Sequence, residues 1–500
     1  MAAPSPIAHT HVNASGQRQP GETCAQEAAR PGSQGTTSVH GTWGSEGDAG
    51  RHLRTKAGQA GTTPAGPGTP SPEPISRRLE RIATQAREYP DMAFTTLAHH
   101  LDVAMLEDAF RRLNPRSAPG VDRVTWRMYK EHLATNLETL HEKLVNDTYS
   151  PQPVVRRLIP KSQGKLRPLG LPALEDKIVA KAVARLLEAI YEQDFCDASY
   201  GFRPGRSPHQ ALHDVRQGLL GHRIGQVIDC DISAFFDTLQ HDTLLAILRK
   251  RVRDGRVLDL IEKWLQAGIL DGKEMVYPDK GSPQGSVLSP LLANVYLHEV
   301  LDTWITTVVK AHCRGQVVLY RYADDVLIGC ELAEDARRIT AVLPKRFAKY
   351  GLEINAEKTT MVDFRRPQRP PSRRKTGTFR FLGFVHYWGK TWRGGYTIKR
   401  KTEGKRLRRT QGEFWRWCRA NRHRPLQEQY ATLCAKLRGY YQYYGVRCNS
   451  SCLDLVYYAA MRAWRYWLNR RGGRKMTWRA FGRMMAAYPL PQPRIVKGWV

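Results

Sequence analysis

Two adjacent carboxylates, Asp324 and Asp325, follow Tyr322 and Ala323 at the junction of two apolar runs, 317–320 and 326–328, whose composition suits strands entering and leaving a tight turn. Their mutual repulsion gains nothing unless a cation or a basic partner sits against them. A hard divalent cation would relieve it; a charged hairpin turn is the plainer reading of this stretch alone, since Asp is common in turns. Residues 226–237 carry three more carboxylates on what reads as a buried strand running into a loop, and alternation puts Asp229 and Asp231 on one face. One of these beside Asp324 and Asp325 would make a three-carboxylate cage for Mg2+, which prefers oxygen ligands. A pair of such ions about 4 Å apart is the usual clamp for in-line nucleotidyl transfer.

Other chemistry-bearing residues are basic. Residues 156–170 read as two short extended pieces about a Ser162-Gln163-Gly164 turn, with Lys161 and Arg167 among the side chains along them. These two would grip a triphosphate; the alternative is an edge strand charged against aggregation. Arg203 and Arg206 lie on a Gly/Pro loop, 199–207, where they would suit phosphate contacts, although such loops are also ordinary connectors. Residues 280–290 form a Gly-rich loop, and Ser289 as N-cap with Pro290 at N1 would start an apolar helix running to about Trp304. The elements that must hold these groups are helices read over 126–144, 174–190 and 333–350 and a strand-like stretch over 379–385.

Composition narrows the partners. The 500 residues are 41% apolar, enough for two or three domains with real cores, and the formal charge is +31. Residues 365–500 hold 33 basic and four acidic side chains, so a net of +29 lies at that end, interleaved with aromatics. Such a region would face phosphate backbone, with some aromatics packed inward and a minority stacked on bases. A solubilising surface is the alternative reading. An anionic membrane is a weaker one, because the basic residues flank no long apolar span. Nine scattered cysteines without a Cys-x-x-Cys pair, and an N-terminus lacking a basic flank and an apolar core, point to a reducing, cytoplasmic setting. Cys448 and Cys452 have no further partners at zinc spacing. Residues 1–75, neutral and rich in Gly, Pro, Ser, Thr and Ala, read as a disordered tail in which His9 and His11 are incidental.

The order of these stretches resembles the successive blocks of reverse transcriptases, and most of all those of the group II intron-encoded reverse transcriptase/maturase family. It runs from the basic hairpin and the Asp231 strand through Ser282-Pro-Gln-Gly285, Tyr322-Ala-Asp-Asp325 and Gly351-Leu-x-x-Asn-x-x-Lys358 to Phe381-Leu-Gly383. More specific marks are residues 199–206, Ser-Tyr-Gly-Phe-Arg-Pro-Gly-Arg, residues 289–294, Ser-Pro-Leu-Leu-Ala-Asn, and residues 437–445, Leu-Arg-Gly-Tyr-Tyr-Gln-Tyr-Tyr-Gly. The resemblance covers roughly residues 76–490 and implies an α+β right-hand polymerase, reverse transcriptase fingers and palm with an all-α thumb/maturase domain. Its implied divisions are a tail over 1–75, an N-terminal extension of the fingers over 76–140, fingers and palm over 141–387, and thumb over 388–490.

Matched to the family's motifs, Asp231, Asp324 and Asp325 would hold two Mg2+ ions, and Asp229 falls outside the match. The resemblance likewise puts Lys161 and Arg167 on the triphosphate, Phe236 as the gate against a ribose 2′-OH, Gln284 beside the incoming nucleotide and Lys358 near the active site. The implied activity is RNA-directed DNA polymerisation, with intron RNA bound as a splicing maturase in support of retrohoming, and an RNA template, a DNA primer and target, and dNTPs as partners. No membrane partner is expected, and the oligomeric state is left open. Two other classes stay open: a domesticated or defence-associated reverse transcriptase without an intron, and a maturase acting only as an RNA-binding splicing factor. Family members often continue into a DNA-binding segment and an HNH endonuclease; here the residues after 489 carry neither, so second-strand cleavage is not expected.

Overall fold

Eleven strands build three sheets in the computed structural model, which describes residues 73–160, 166–272, 274–277, 279–282, 285–368, 376–472 and 476–500. Most of the expected tail, Lys161, Gln284 and the side chain of Arg167 lie outside the described residues. In chain order the strands are β1 Val154–Pro160, β2 Leu166–Leu171, β3 Gln226–Asp231, β4 Ile269–Asp271, β5 Glu274–Val276, β6 Val317–Tyr322, β7 Asp325–Cys330, β8 Thr360–Asp363, β9 Phe379–Phe381, β10 Phe384–Lys390 and β11 Tyr396–Thr402. The architecture is mixed α+β: sheets in the orders β2-β1-β4-β5, β6-β7-β3-β8 and β11-β10-β9, wrapped by helices and followed by helices at the C-terminal end.

Burial on both faces explains why β7 reads, after Asp325, as a nearly continuous apolar run. Ile228 and Cys230 of β3, with Val326 and Ile328 of β7, enter a core shared with Leu186, Leu245, Tyr296 and Phe347. Val227 and Leu327 enter the opposite core, with Leu212, Val215, Phe381 and Phe384. Asp229, Asp231 and Asp325 therefore share the second face, the one covered by the helix Pro208–Gly221 and the β9–β11 sheet. The helix Leu174–Asp194 is buried nearly all round, and the N-terminal helices Ile75–Glu88 and Val103–Arg111 pack on it. Arg251 ties that layer together, donating to the carbonyls of Ala86, Tyr89, Pro90 and Met92 and to Asp194.

Four helices, Gly404–Ala420, Leu426–Tyr444, Ser450–Leu468 and Trp478–Ala487, share a third core. Phe414, Tyr440, Tyr441, Tyr457 and Trp464 point into it, while Trp415, Tyr458, Tyr466 and Trp478 are exposed. The Trp464 indole is fully buried and donates to Gln429 Oε1 at 3.0 Å, satisfying its one polar atom.

Three sequence expectations differ in detail. The helix over 126–144 is two helices, Trp126–Glu131 and Leu133–Val145, broken where His132 leaves helical geometry (φ −125°, ψ 43°). Leu288, not Ser289, caps the helix that opens with Ser289 and Pro290, and that helix runs past Trp304 to His312 through two π-helical turns, His298–Asp302 and Ile305–Val309. The expected boundary at 387/388 falls inside β10, which pairs with β9 and β11; continuous helix begins only at Gly404.

Candidate active site

The hairpin β6–β7 closes through two residues. Tyr322 pairs with Asp325, which leaves Ala323 and Asp324 as the turn. Ala323 has φ 55°, a left-handed conformation that hairpin turns require and that costs a non-glycine residue roughly 1–2 kcal/mol. What holds it there lies behind the turn. Ser199 bridges to Arg321, and Gly201 presses so close that a Cβ on it would stand 2.3 Å from Ala323 N. The Gly in Ser199-Tyr-Gly-Phe thus serves a close backbone approach.

Register then assembles the carboxylates. Asp231, the last residue of β3, is the cross-strand partner of Asp325, the first residue of β7, and Asp324 precedes it on the turn. Asp325 keeps solvent-accessible surface yet is surrounded at longer range by protein. That burial, then the charges of Asp324 and Asp231, push its carboxyl up to about 6, against the pull of Arg406 and the Leu382 N–H. Asp229 is pushed up to about 7, by burial and then by Asp325. Lys358 answers part of this charge, its Nζ lying 2.7 Å from Asp231 Oδ2. Both partners are substantially exposed, so the pair contributes about 0–1 kcal/mol and leaves Asp231 exchangeable to another cation.

The cage expected from sequence is not closed. Among the described residues, no group of three or more His, Cys, Asp or Glu is drawn together as a ready metal site, and Asp231 is paired with Lys358. The donor set still fits a hard divalent ion, since every group is a carboxylate oxygen.

Phe236 lies on the short helix Phe235–Thr238, after a left-handed Ala234 (φ 44°). Its half-buried ring meets Phe235 edge-on at 5.4 Å, and Phe235 is the member sunk in the core, 6.3 Å from Tyr296. The loop after residue 280 docks on this turn: Ser282 N donates to Phe236 O at 2.7 Å, and a Cβ on Gly281 (φ 93°) would meet the carbonyls of Phe236 and Asp237 at 3.0 Å. Gly285 (φ 122°) abuts Gly170 of β2, so the loop bridges the basic hairpin and the Phe236 turn.

Arg203, a candidate for phosphate, is already used. It is buried, and its guanidinium donates to Glu192 and to the carbonyls of Cys196 and Ser199. Arg206 pairs with the exposed Asp197. Residues that sequence reasoning missed stand around the carboxylates instead. Leu382 (φ 51°) and Gly383 form the turn between β9 and β10, and Arg406 packs on Gly383 from the helix Gly404–Ala420. The Phe-Leu-Gly motif marked that turn in sequence; nothing marked Arg406.

Residues 159–386 match the family model described as reverse transcriptase (RNA-dependent DNA polymerase). Protein YkfC of Escherichia coli (strain K12) is 40% identical over 232 residues, 45% of this chain and 61% of that protein. Group II intron-encoded protein LtrA of Lactococcus lactis subsp. cremoris is 36% identical over 237 residues, 47% of this chain and 39% of its own length. An uncharacterized 91 kDa protein in the cob intron of Schizosaccharomyces pombe is 34% identical over 238 residues, 46% of this chain and 29% of its length. The chain thus spans less than two thirds of each of these relatives.

Proposed function

From the premise that residues 159–386 are a reverse transcriptase (RNA-dependent DNA polymerase) domain related to the group II intron-encoded proteins, we propose that this chain is a right-hand polymerase that copies RNA into DNA. The observation that carries the reading is the register of Asp231 opposite Asp325 with Asp324 on the adjoining turn. Asp231, Asp324 and Asp325 are the residues that would hold Mg2+. Bound there, such ions would supply charge neutralisation and Lewis acidity to a primer 3′-OH and to a departing pyrophosphate. The protein's own part is positioning. Lys358 pairs with Asp231 until a stronger cation arrives. Phe236 presents a ring where a ribose 2′-OH would stand. Lys161 and Arg167 of the basic hairpin, with Gln284 of the loop, would grip and orient the dNTP.

In this reading residues 76–402 are fingers and palm, and the helices from Gly404 onward form a thumb that doubles as a maturase domain. Its support is charge: a net of +29 over residues 365–500, with Trp415, Tyr458 and Tyr466 exposed among the arginines. The partners would be an RNA template, intron RNA, a DNA primer and dNTPs. Among the described residues no helix is long and apolar enough to cross a membrane. Primer extension and RNA filter binding on one preparation test both halves. Asp324→Asn with Asp325→Asn should abolish DNA synthesis and leave RNA affinity within about twofold, since affinity comes from phosphate contacts elsewhere. Synthesis near the wild-type rate in that variant removes the assignment.

A further inference from the structure

Behind the carboxylate turn lies a buried polar cluster that none of these roles uses. Arg321, the residue before Tyr322, and Asp302 have fully buried side chains joined two-pronged, Nε to Oδ1 at 2.8 Å and Nη2 to Oδ2 at 2.6 Å. The remaining nitrogen, Nη1, donates to Asn294 Oδ1 at 2.9 Å and to Ala323 O at 3.2 Å. Asn294 in turn donates from Nδ2 to Gly201 O at 2.7 Å, fixing the glycine that presses on the turn. The Arg321 backbone is held too: its N–H donates to Ala198 O at 2.8 Å, and its carbonyl accepts from Tyr200 N at 2.9 Å. Asp302 ends a π-helical turn, whose extra residue per turn resets the face on which the carboxylate emerges.

Stability alone is a poor account of this cluster. Taking both charges out of water costs several kcal/mol per ion, and an apolar pair of similar volume often packs as well or better. What an apolar pair cannot supply is a donor to Ala323 O, the carbonyl of the one left-handed residue in the turn, or an anchor for Gly201 behind it. We propose that Arg321, supported by Asp302 and Asn294, is a positioning residue. It locks Ala323 in its left-handed conformation and so sets where Asp324 and Asp325 stand relative to Asp231. The proposal rests on the reading that these carboxylates hold divalent metal. Groups that orient metal ligands from behind typically change affinity about 10–100-fold when removed.

The test compares the wild type, Arg321→Lys, and the double variant Arg321→Met with Asp302→Leu. It measures Mn2+ binding from the loss of the free-ion paramagnetic resonance signal, thermal melting, and the Mg2+ dependence of primer extension. Asp324→Asn with Asp325→Asn sets the baseline for Mn2+ binding elsewhere on the chain. The double variant should melt close to the wild type, bind Mn2+ about 10-fold or more weakly, and need correspondingly more Mg2+. Arg321→Lys keeps a cation opposite Asp302 but cannot reach Asn294 and Ala323 as well, so it should show the same direction of change. A folded variant with wild-type Mn2+ affinity overturns the proposal, as does failure of both variants to fold, which would assign the cluster to stability. A wild-type chain that neither binds Mn2+ through Asp324 and Asp325 nor extends a primer removes the polymerase reading itself, a result distinct from either.

Discussion

Replacing Gly201 by alanine tests whether the carboxylate turn is held by contact from behind. The added methyl would stand 2.3 Å from Ala323 N, 3.0 Å from Tyr322 C and 3.1 Å from Ala323 Cα, all backbone atoms that no rotamer change can move aside. An ordinary contact needs roughly 1 Å more than the shortest of these. Gly201 cannot retreat freely, because its carbonyl is held by Asn294. The turn therefore moves, carrying Asp324 and Asp325 by a large fraction of an ångström. Overpacking of this kind costs about 1–3 kcal/mol of stability, and a misplacement of about 1 Å at a reacting centre costs on the order of 100-fold in rate. Gly201→Ala should thus extend a primer by one nucleotide on the order of 100-fold more slowly at saturating dNTP, with only a modest fall in melting temperature. Gly439→Ala is the control, since a methyl there meets nothing within 4 Å and lies in the helix Leu426–Tyr444. It should keep the wild-type rate and gain about 0.5–1 kcal/mol from helix propensity. Wild-type extension by Gly201→Ala with unchanged melting would refute the coupling between residue 201 and the turn.

If Phe236 is the proposed gate, Phe236→Ala should admit ribonucleotides while keeping much of the dNTP activity, because its ring is only half-buried at the edge of the core and Phe235 is the member sunk in it. A folded variant that still excludes ribonucleotides would sink the gate assignment. Changing Lys405, Arg408 and Arg416, all exposed on the helix Gly404–Ala420, to Gln should lower the log–log salt slope of RNA binding by roughly 0.7–0.9 per lost contact. Equal slopes would show that this face is merely solubilising. His386 is fully buried, stacked on Phe379 at 4.7 Å, and burial followed by the Arg400 charge pushes its pKa well below the ordinary 6.5. The unfolded chain therefore binds a proton near 6.5 that the fold refuses. The contribution to stability is whole above that pH and declines as pH falls below it. Melting temperatures from pH 8 to 5 should show this decline, and His386→Leu should flatten it; an unchanged acid slope would contradict the assignment.

That Asp229 and Asp231 share one face was legible because strand alternation has a period of two, whereas the choice of Asp231 as the partner of Asp324 and Asp325 was implied only by the resemblance. Apolar neighbours fix which faces of β3 and β7 are buried, and that places Asp229, Asp231 and Asp325 on one side. The basic hairpin β1–β2 and the Ser199 loop were legible from turn chemistry, but their arginines were not. An arginine on a Gly/Pro loop looks the same whether it awaits phosphate or, like Arg203, is spent on Glu192 and two carbonyls. Arg321 and Asp302 left a fainter signal, a charge at a position where strand and helix patterning each call for an apolar residue. Nothing in one chain says that two such anomalies 19 residues apart meet. β11 was hidden among basic residues read as helix, because its inward Ile398, Arg400 and Thr402 include only one aliphatic.

The order β6-β7-β3-β8 places both carboxylate-bearing strands in the interior of their sheet, each hydrogen-bonded on two sides. Interior strands have no open edge from which to fray, so their amides exchange with solvent only when the whole sheet opens. The strand backbone leading to Asp231 and Asp325 therefore belongs to the slow-exchanging part of the molecule, while the two carboxylate residues stand at its end, where the β8 ladder has already stopped at Asp229. Slow heat inactivation would then follow cooperative unfolding of the sheet, with local loosening limited to the strand ends and the two-residue turn.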